Sequence, residues 1–216
     1  LDTLSREATE HFIETTHELY AKKCGKRIGK SIQGIFTDEP HRGALMTGFS
    51  VPNREPAMLA PYTDDLFDCF KKAFGYDLKD KLPELFLRKD GKYYAKVKWQ
   101  YTELLTELFI KNFMKPYHNW CKDHDLLFTG HMLHEDRLSY QVSTNGSVMR
   151  CYEHMDVPGV DTLCNHNYAY CIVKQLASVA RQTGKKHLMS ELNGCTGWQM
   201  RFSDYKGIGD WQAIMG

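Results

Sequence analysis

The sequence predicts an α/β protein whose parallel sheet is covered by helices. Apolar, β-prone runs alternate with amphipathic helical segments along the 216 residues, in the order helix, strand, helix, strand, strand, helix, strand, helix. Several of the strands stop abruptly on acidic residues or histidines, which is typical of the strand ends that face the ligand crevice in such folds. No internal repeat or linker interrupts the chain, so one domain over residues 1–216 is expected.

The first strand is the most informative segment. A helix that begins after Ser5 and closes at Gly25 precedes it, and the strand then runs from Gln33 and stops on the adjacent acids Asp38 and Glu39. A proline follows these acids and cannot extend a strand ladder. Glu39 is therefore the first candidate for chemistry.

The middle of the chain predicts a long loop and several helices. A proline-rich stretch over 40–62 has the length of a functional loop. Short helices are expected over 64–74 and 82–87, a basic turn over 89–92, and a long amphipathic helix over 96–124 that Pro116 should kink.

The second half supplies three more strands and the remaining helices. Strands are predicted over 126–131, 157–161 and 186–191, with a polar loop over 134–146 and a helix over 167–183. A last helix is predicted to begin or end over 211–215.

Glu39 and Glu191 each end a predicted strand. Glycosidic bond hydrolysis needs such a pair, because one acid protonates the leaving oxygen while the other attacks the sugar or activates water. The two residues are 152 positions apart (191 − 39), so only the fold can bring them together. The alternative that each is an ordinary solvated glutamate stays open at this point.

A second polar cluster follows the strand that ends near His131. His131, His134 and Glu135 could ligate a metal ion, which makes a metal-dependent hydrolase using His131 and His134 the rival hypothesis. Both histidines would leave a strand, unlike the metal-binding motif in which two histidines share one helix face. For His131 and Glu135, sugar binding or a supporting role behind the residues that bind the sugar is therefore favoured over a metal site, and no metal ligand is assigned.

Trp198 follows Gly194 and Gly197 in a predicted loop after Glu191. An exposed indole offers a flat face on which a sugar ring can stack, whereas a buried one would belong to the core. The sequence favours neither alternative.

Composition excludes some partners. The chain carries 28 basic and 27 acidic residues, a net charge of +1, so neither nucleic acid nor an anionic membrane is an expected partner. The seven cysteines are scattered and form no paired metal-binding motif, which favours a reducing, cytoplasmic location. Export stays open if a signal segment was removed.

Four segments together resemble (β/α)₈-barrel glycoside hydrolases, particularly uncharacterised bacterial relatives of the α-L-rhamnosidase family. They are Thr37-Asp38-Glu39-Pro40, Phe128-Thr129-Gly130-His131, Asp156-Val157-Pro158-Gly159-Val160-Asp161, and Ser190-Glu191 with Gly197-Trp198. The resemblance extends from the first helix to Trp211. It implies a partial (β/α)₈ TIM-type barrel, with about strands four to seven and their helices, as a segment of a larger catalytic barrel.

The resemblance also implies roles for individual residues. Glu39 would be the general acid, and Glu191, at the end of the seventh strand, would be the base or the nucleophile. Asp38 stands where the broader clan of barrel glycosidases has an asparagine. Kinship with rhamnosidases implies an inverting mechanism and the broader clan a retaining one, and a carboxyl separation of about 6.5–9.5 Å or about 5–5.5 Å would decide between them.

The expected substrate is a carbohydrate, with Asp38, His131, Glu135, Asp161 and Trp198 shaping its site. No cofactor is expected, although the resemblance leaves a calcium requirement open. An incomplete barrel exposes strand edges, so self-association or pairing with the remaining part of a parent chain is expected. A non-catalytic carbohydrate-binding fragment is the other alternative.

Overall fold

The computed structural model describes residues 1–43, 59–87, 96–163 and 169–216. It has a mixed α/β fold whose four strands are β1 (Gly34–Thr37), β2 (Leu127–Gly130), β3 (Val157–Asp161) and β4 (Met189–Glu191). All neighbouring strands run parallel, in the order β1-β2-β3-β4. The predicted parallel α/β arrangement is confirmed for the described part of the chain.

The contacts of the chain divide it into two compact units. The helical unit comprises residues 1–24, 41–117 and 139–147, and the sheet unit comprises residues 25–40, 118–138 and 148–216. Each is described by itself below. One domain over residues 1–216 stays a prediction.

The helical unit begins as the sequence predicts. Ser5 is the N-cap of α1 (Arg6–Phe12), and its hydroxyl oxygen accepts a hydrogen bond from the Ala8 backbone N–H. The following helices are α2 (Glu18–Cys24), α3 (Leu66–Phe74), α4 (Leu82–Phe86) and α5 (Lys96–Phe109). Gly75 ends α3 in the left-handed conformation, as the sequence predicts.

The long helix expected over 96–124 is interrupted. A wider π-helical turn over Ile110–Met114 separates α5 from α6 (Lys115–Asp123). Pro116 lies directly after this turn and has no N–H to donate to the helix, so a local departure from α-geometry is expected there.

The prediction of a loop over 134–146 is wrong, because α7 (Leu138–Thr144) lies within it and α8 (Val148–Tyr152) follows closely. The sequence pattern is polar, yet Gln141, Ser143 and Thr144 are buried. The Thr144 carbonyl accepts a hydrogen bond from the Arg42 backbone N–H. A polar segment whose groups are satisfied by distant residues carries no apolar period, so the sequence did not reveal this helix.

The sheet unit ends in two helices, α9 (Tyr170–Thr183) and α10 (Phe202–Met215). The last helix begins at Phe202, so residues 211–215 form its end, one of the two positions that the sequence left open. Gly207 and Gly209 lie near its middle and lower the helix propensity of that segment, which accounts for the weak signal before Trp211.

The two faces of the sheet differ in exposure. Phe128 and Val160 point to one face and are buried, whereas Phe36 and Leu127 point to the other and are each 47% exposed. Side chains alternate between faces along a strand, and the register pairs Phe36 with Thr129. His131, Asp161 and Glu191 follow the same alternation and share the more exposed face, called here the site face.

Two sequence-based predictions lie wholly or mostly outside the described residues. They are the loop over 40–62, of which residues 44–58 are not described, and the basic turn over 89–92. In the parts of the chain that are described, every helix is too short or too polar to cross a membrane.

The close pairing of β1 and β2 at the site end depends on a glycine. Gly130 has a φ of +147°, and a Cβ there would lie 2.2 Å from the Thr37 carbonyl oxygen. Backbone cannot move aside as a flexible side chain does. We expect Gly130→Ala to lower the free energy of unfolding by about 3 kcal/mol, measured by urea denaturation.

Gly207→Ala is the matched control. Gly207 lies in α10, and a Cβ there meets nothing within 4 Å. Alanine is the better helix former, so this change should raise the free energy of unfolding by about 0.5–1 kcal/mol. Equal effects of the two substitutions would contradict the assignment of a steric role to Gly130.

Candidate active site

The end of β1 brings two acids to the rim of the sheet. Thr37 is buried, and Asp38 and Glu39 follow it as exposed residues before Pro40. Glu39 has a φ of +48°, in the left-handed region that a non-glycine residue adopts at a cost of the order of 1 kcal/mol. Such strain often accompanies function, and here it lies at the residue that the sequence ranks first.

His131 follows β2 and is almost completely buried, with 1% of its surface exposed. Its Nε2 lies 2.9 Å from a Glu191 carboxylate oxygen and 3.3 Å from an Asp38 carboxylate oxygen. The ring also lies edge-on to Phe36, with 5.4 Å between centroids. An Nε2–H donor at this position orients Glu191, since a carboxylate can only accept.

Asp161 ends β3 directly beside Glu191 in the strand register. The pKa of its carboxyl is raised to about 6, chiefly by burial and also by the nearby carboxylates of Glu191, Glu39 and Asp38, while His131 opposes the rise. Its Oδ1 is buried and has no hydrogen-bond partner among the described residues. This oxygen is therefore a buried acceptor that no described residue satisfies.

The structure brings together five of the seven predicted site residues around one imidazole. One set of side-chain atoms, from Asp38, His131 and Glu191, lies mutually within 4.8 Å, and a second, from Glu39, His131 and Asp161, does the same. The two candidate catalytic glutamates, far apart in sequence, thus belong to a single cluster.

The other two predicted site residues lie differently. Glu135 is 3% exposed, and its oxygens accept hydrogen bonds from protein groups, including the Tyr152 hydroxyl. Trp198 is fully exposed. Core packing of Trp198 is therefore excluded, and its exposed indole meets the requirement for a stacking platform.

The remaining polar residues near the strand ends do not join the cluster. His134 is exposed with a φ of +56°, and neither set of close side-chain atoms includes it. Asp136 forms an ion pair with Arg137 at 3.6 Å. Asp156 precedes β3, where it accepts a hydrogen bond of 2.8 Å from the Phe128 backbone N–H. It therefore lies at the opposite end of the strand from Asp161.

A cavity of about 280 Å³ adjoins the cluster. Glu39 and Asp161 line it, together with an apolar wall that includes Met132, Leu163 and Ile172. Its volume is at the small end of the range for ligand sites. A polar rim over an apolar wall suits a small amphipathic ligand such as one sugar ring.

The kinds of ligand atom in the cluster indicate which metal ion it could bind. Each set of close atoms combines two carboxylates with the His131 imidazole, a mixture that suits a zinc-like ion. Calcium takes six to eight oxygen ligands. Neither of these two sets fits calcium, because a nitrogen lies at the centre of both.

Sequence reasoning missed Tyr152 and the steric role of Gly130. Tyr152 is buried in the short helix α8, and burial together with Glu135 raises its pKa well above the usual value. No spacing signal links it to Glu135, because the hydrogen bond between them exists only in the folded chain. The Gly130 requirement could have been suspected from a glycine beside a candidate site histidine.

Comparisons with known proteins show the fold. No protein-family model matches the chain, and no curated protein matches its sequence. A solved structure described as a rhamnosidase from Novosphingobium sp. PP1Y matches with a TM-score of 0.74 and 20% sequence identity. The match covers 100% of this chain and 20% of that one, so the chain spans about a fifth of the rhamnosidase chain. The likeness shows a shared fold.

The raised pKa of Asp161 predicts a pH dependence of stability. Its folded pKa, about 6, exceeds the ordinary value of 3.8, so the folded state holds the proton more tightly. This contribution is fully present below about pH 4 and is lost as the pH rises through about 6. Relative to Asp161→Asn, the free energy of unfolding of the wild type should fall by on the order of 1–2 kcal/mol between pH 4 and 7.

Urea denaturation of both proteins across this range gives the measurement. Glu135, whose pKa burial raises to about 8, titrates in both proteins and largely cancels in the difference. If the difference in free energy of unfolding between the wild type and Asp161→Asn does not change with pH, Asp161 titrates as an ordinary aspartate.

Proposed function

We propose that this chain carries the acid–base pair of a glycoside hydrolase, with Glu39 as the general acid and Glu191 as the base or nucleophile. One observation carries the proposal: strands at the two ends of the strand order deliver these glutamates to the same histidine-centred cluster. A carboxyl pair at one site is what glycosidic bond hydrolysis requires. The fold shared with a protein named as a rhamnosidase supports the same reaction.

In the first step Glu39 gives its proton to the glycosidic oxygen, and the bond between that oxygen and the anomeric carbon breaks. Glu191 either removes a proton from the water that attacks this carbon or attacks the carbon itself to form a glycosyl ester. His131 holds the Glu191 carboxylate in place through the 2.9 Å contact. The anomeric form of the first product, read by NMR, distinguishes the two routes.

The neighbouring residues have distinct proposed roles. Asp161, with a pKa of about 6, holds a proton in the cluster at a pH where an ordinary aspartate has lost it, and its carboxyl group, which lines the cavity, is proposed to bind a sugar hydroxyl. Asp38 is exposed beside the imidazole and is proposed to contact the sugar as well. Trp198 is proposed to stack on a sugar ring farther out.

A metal-dependent hydrolase is the second candidate. The observation that favours it is the convergence of two carboxylates and His131, with no contribution from His134. Its signature would be loss of activity with a chelator and recovery with zinc. Binding of sugars without turnover, with or without metal, would instead identify a carbohydrate-binding fragment.

We expect Glu39→Gln and Glu191→Gln each to lower kcat about 10²–10⁴-fold on aryl glycosides, because each removes one of the two carboxyl functions. The panel should include α-L-rhamnosides. Glu39→Gln should lose little on a dinitrophenyl glycoside, whose leaving group departs without a proton, whereas Glu191→Gln should fail on both substrates.

Glu153→Gln is the matched control, since Glu153 is an exposed glutamate of the same unit at a position before β3. It should leave kcat unchanged. Full activity of Glu39→Gln on a poor leaving group would remove it as the acid, and sensitivity of the wild type to a chelator would favour the metal-dependent alternative.

We also propose that the sheet is part of a (β/α)₈ barrel, corresponding to strands four to seven. Support comes from the sequential parallel strand order and from the exposed apolar side chains on the site face. A closed barrel turns this face inward and leaves no strand edge. Further β/α units, from the same parent chain or from a second copy, would cover it.

The isolated chain should therefore self-associate in light scattering at high concentration. Leu127→Thr should weaken association, because Leu127 is 47% exposed on the site face. Leu19→Thr changes a leucine of similar exposure, 51%, in the helical unit and should have no effect. A monodisperse monomer with all three sequences would contradict the proposal.

A further inference from the structure

Glu135 is the most completely engaged carboxylate near the cluster. It follows β2 by five residues (135 − 130) and is 3% exposed in the wall of the cavity. Its Oε2 accepts a hydrogen bond of 2.9 Å from the Asp161 backbone N–H. Its Oε1 accepts one of 3.3 Å from the Met132 backbone N–H and a short one from the Tyr152 hydroxyl.

These three donors come from three different places in the sheet unit. Met132 directly follows His131 at the end of β2, Asp161 is the last residue of β3, and Tyr152 belongs to α8. The carboxylate thus connects the chain next to the central imidazole with the backbone of the aspartate that faces Glu39. The two carboxyl oxygens can accept from all three, because each has more than one lone pair.

We propose that Glu135 is a positioning residue, which fixes the ends of β2 and β3 relative to each other and thereby holds Asp161 against Glu39 and His131. Of the two roles that the sequence leaves open for Glu135, this is the one without a direct sugar contact, and the structure adds which groups the residue holds. The inference rests on the proposed glycosidase function for its kinetic test, but its geometric content does not.

Two further observations support this role. Tyr152 is completely buried and its pKa lies well above the usual value, so its hydroxyl keeps the proton that it donates to Glu135. Thr162, next to Asp161, accepts a hydrogen bond from Gln212 of α10. The end of β3 is therefore held from both sides, which fixes the position of the free Asp161 Oδ1.

Burying the Glu135 carboxyl is costly, and the hydrogen bonds that it accepts offset part of that cost. Desolvation raises the pKa of Glu135 to about 8, while its three hydrogen bonds oppose that rise. A buried carboxyl is expensive unless its oxygens are satisfied. Replacing it with an apolar side chain would leave the Asp161 and Met132 N–H groups without this acceptor.

The test compares Glu135→Leu with Glu135→Gln and Tyr152→Phe. The glutamine keeps an oxygen for the Asp161 N–H and an amide that can donate to the Tyr152 oxygen. We expect Glu135→Gln to keep kcat within about fivefold of the wild type. Glu135→Leu should lower kcat by about 10²-fold, Tyr152→Phe by less, and KM should stay within about threefold in each.

Hydrogen exchange supplies a readout that needs no turnover. Protection of the Asp161 amide should fall at least tenfold in Glu135→Leu and be restored in Glu135→Gln, in the folded protein as judged by circular dichroism. If Glu135→Leu does not fold, the protection of the Asp161 amide is compared between the wild type and Tyr152→Phe, in which Glu135 loses the hydrogen bond from the Tyr152 hydroxyl.

Two results would overturn the proposal. A KM that rises tenfold or more in Glu135→Gln at unchanged kcat would mean that Glu135 contacts the sugar directly. Unchanged Asp161 amide protection in both Glu135→Leu and Tyr152→Phe would mean that the carboxylate holds nothing in place. Absence of turnover in the wild type, with loss of Asp161 protection in Glu135→Leu, would count against glycosidase activity of this chain by itself while leaving the positioning role intact.

Discussion

The hydrogen bond between His131 and Glu191 is the interaction on which the candidate site depends. It joins the end of β2 to the end of β4 over the intervening strand β3, with 2.9 Å between Nε2 and the carboxylate oxygen. Gly159 lies in β3 where a Cβ would approach the Gly130 carbonyl oxygen to 2.6 Å and the Met189 methyl to 2.5 Å. A strand with no side chain at this point lets its neighbours approach closely enough for the contact.

The same imidazole connects two sets of carboxylates of different character. Asp38 and Glu191 are partly solvated, whereas Asp161 is half-buried and titrates near pH 6. Neighbouring carboxyls in different environments can hold different protonation states at the same pH. The cluster has this asymmetry because it lies at a rim, with solvent on one side and the packed ends of β2 and β3 on the other.

The site is assembled at the expense of local stability. Glu39 adopts a left-handed backbone conformation, Asp161 holds a buried oxygen without a protein partner, and Glu135 buries a carboxyl. Each feature is unfavourable by itself and is retained only where the surrounding structure enforces it. Their concentration at one end of the sheet, whereas the buried side chains of Phe128 and Val160 are apolar, distinguishes this end from the rest of the strands.

The sequence by itself determined the strands and the acids at their ends. The apolar runs before Glu39 and Glu191, the Ser5 cap and the Gly75 stop are local patterns, and local patterns need only neighbouring residues to be read. The structure bears out these elements and the parallel sheet. The helix α7 and the part of α10 before Trp211 were not predicted. The sequence of α7 is polar and α10 contains two glycines, so neither segment gives a local helix signal.

Only the tertiary structure decided which polar residues meet. His131 and His134 are three residues apart (134 − 131), yet one is buried at the centre of the cluster and the other is exposed outside it. Glu135, next to His134, accepts its hydrogen bonds from residues up to 26 positions away. Sequence spacing records distance along the chain, whereas a site is defined by distance through space, and the register of β2, β3 and β4 converts one into the other.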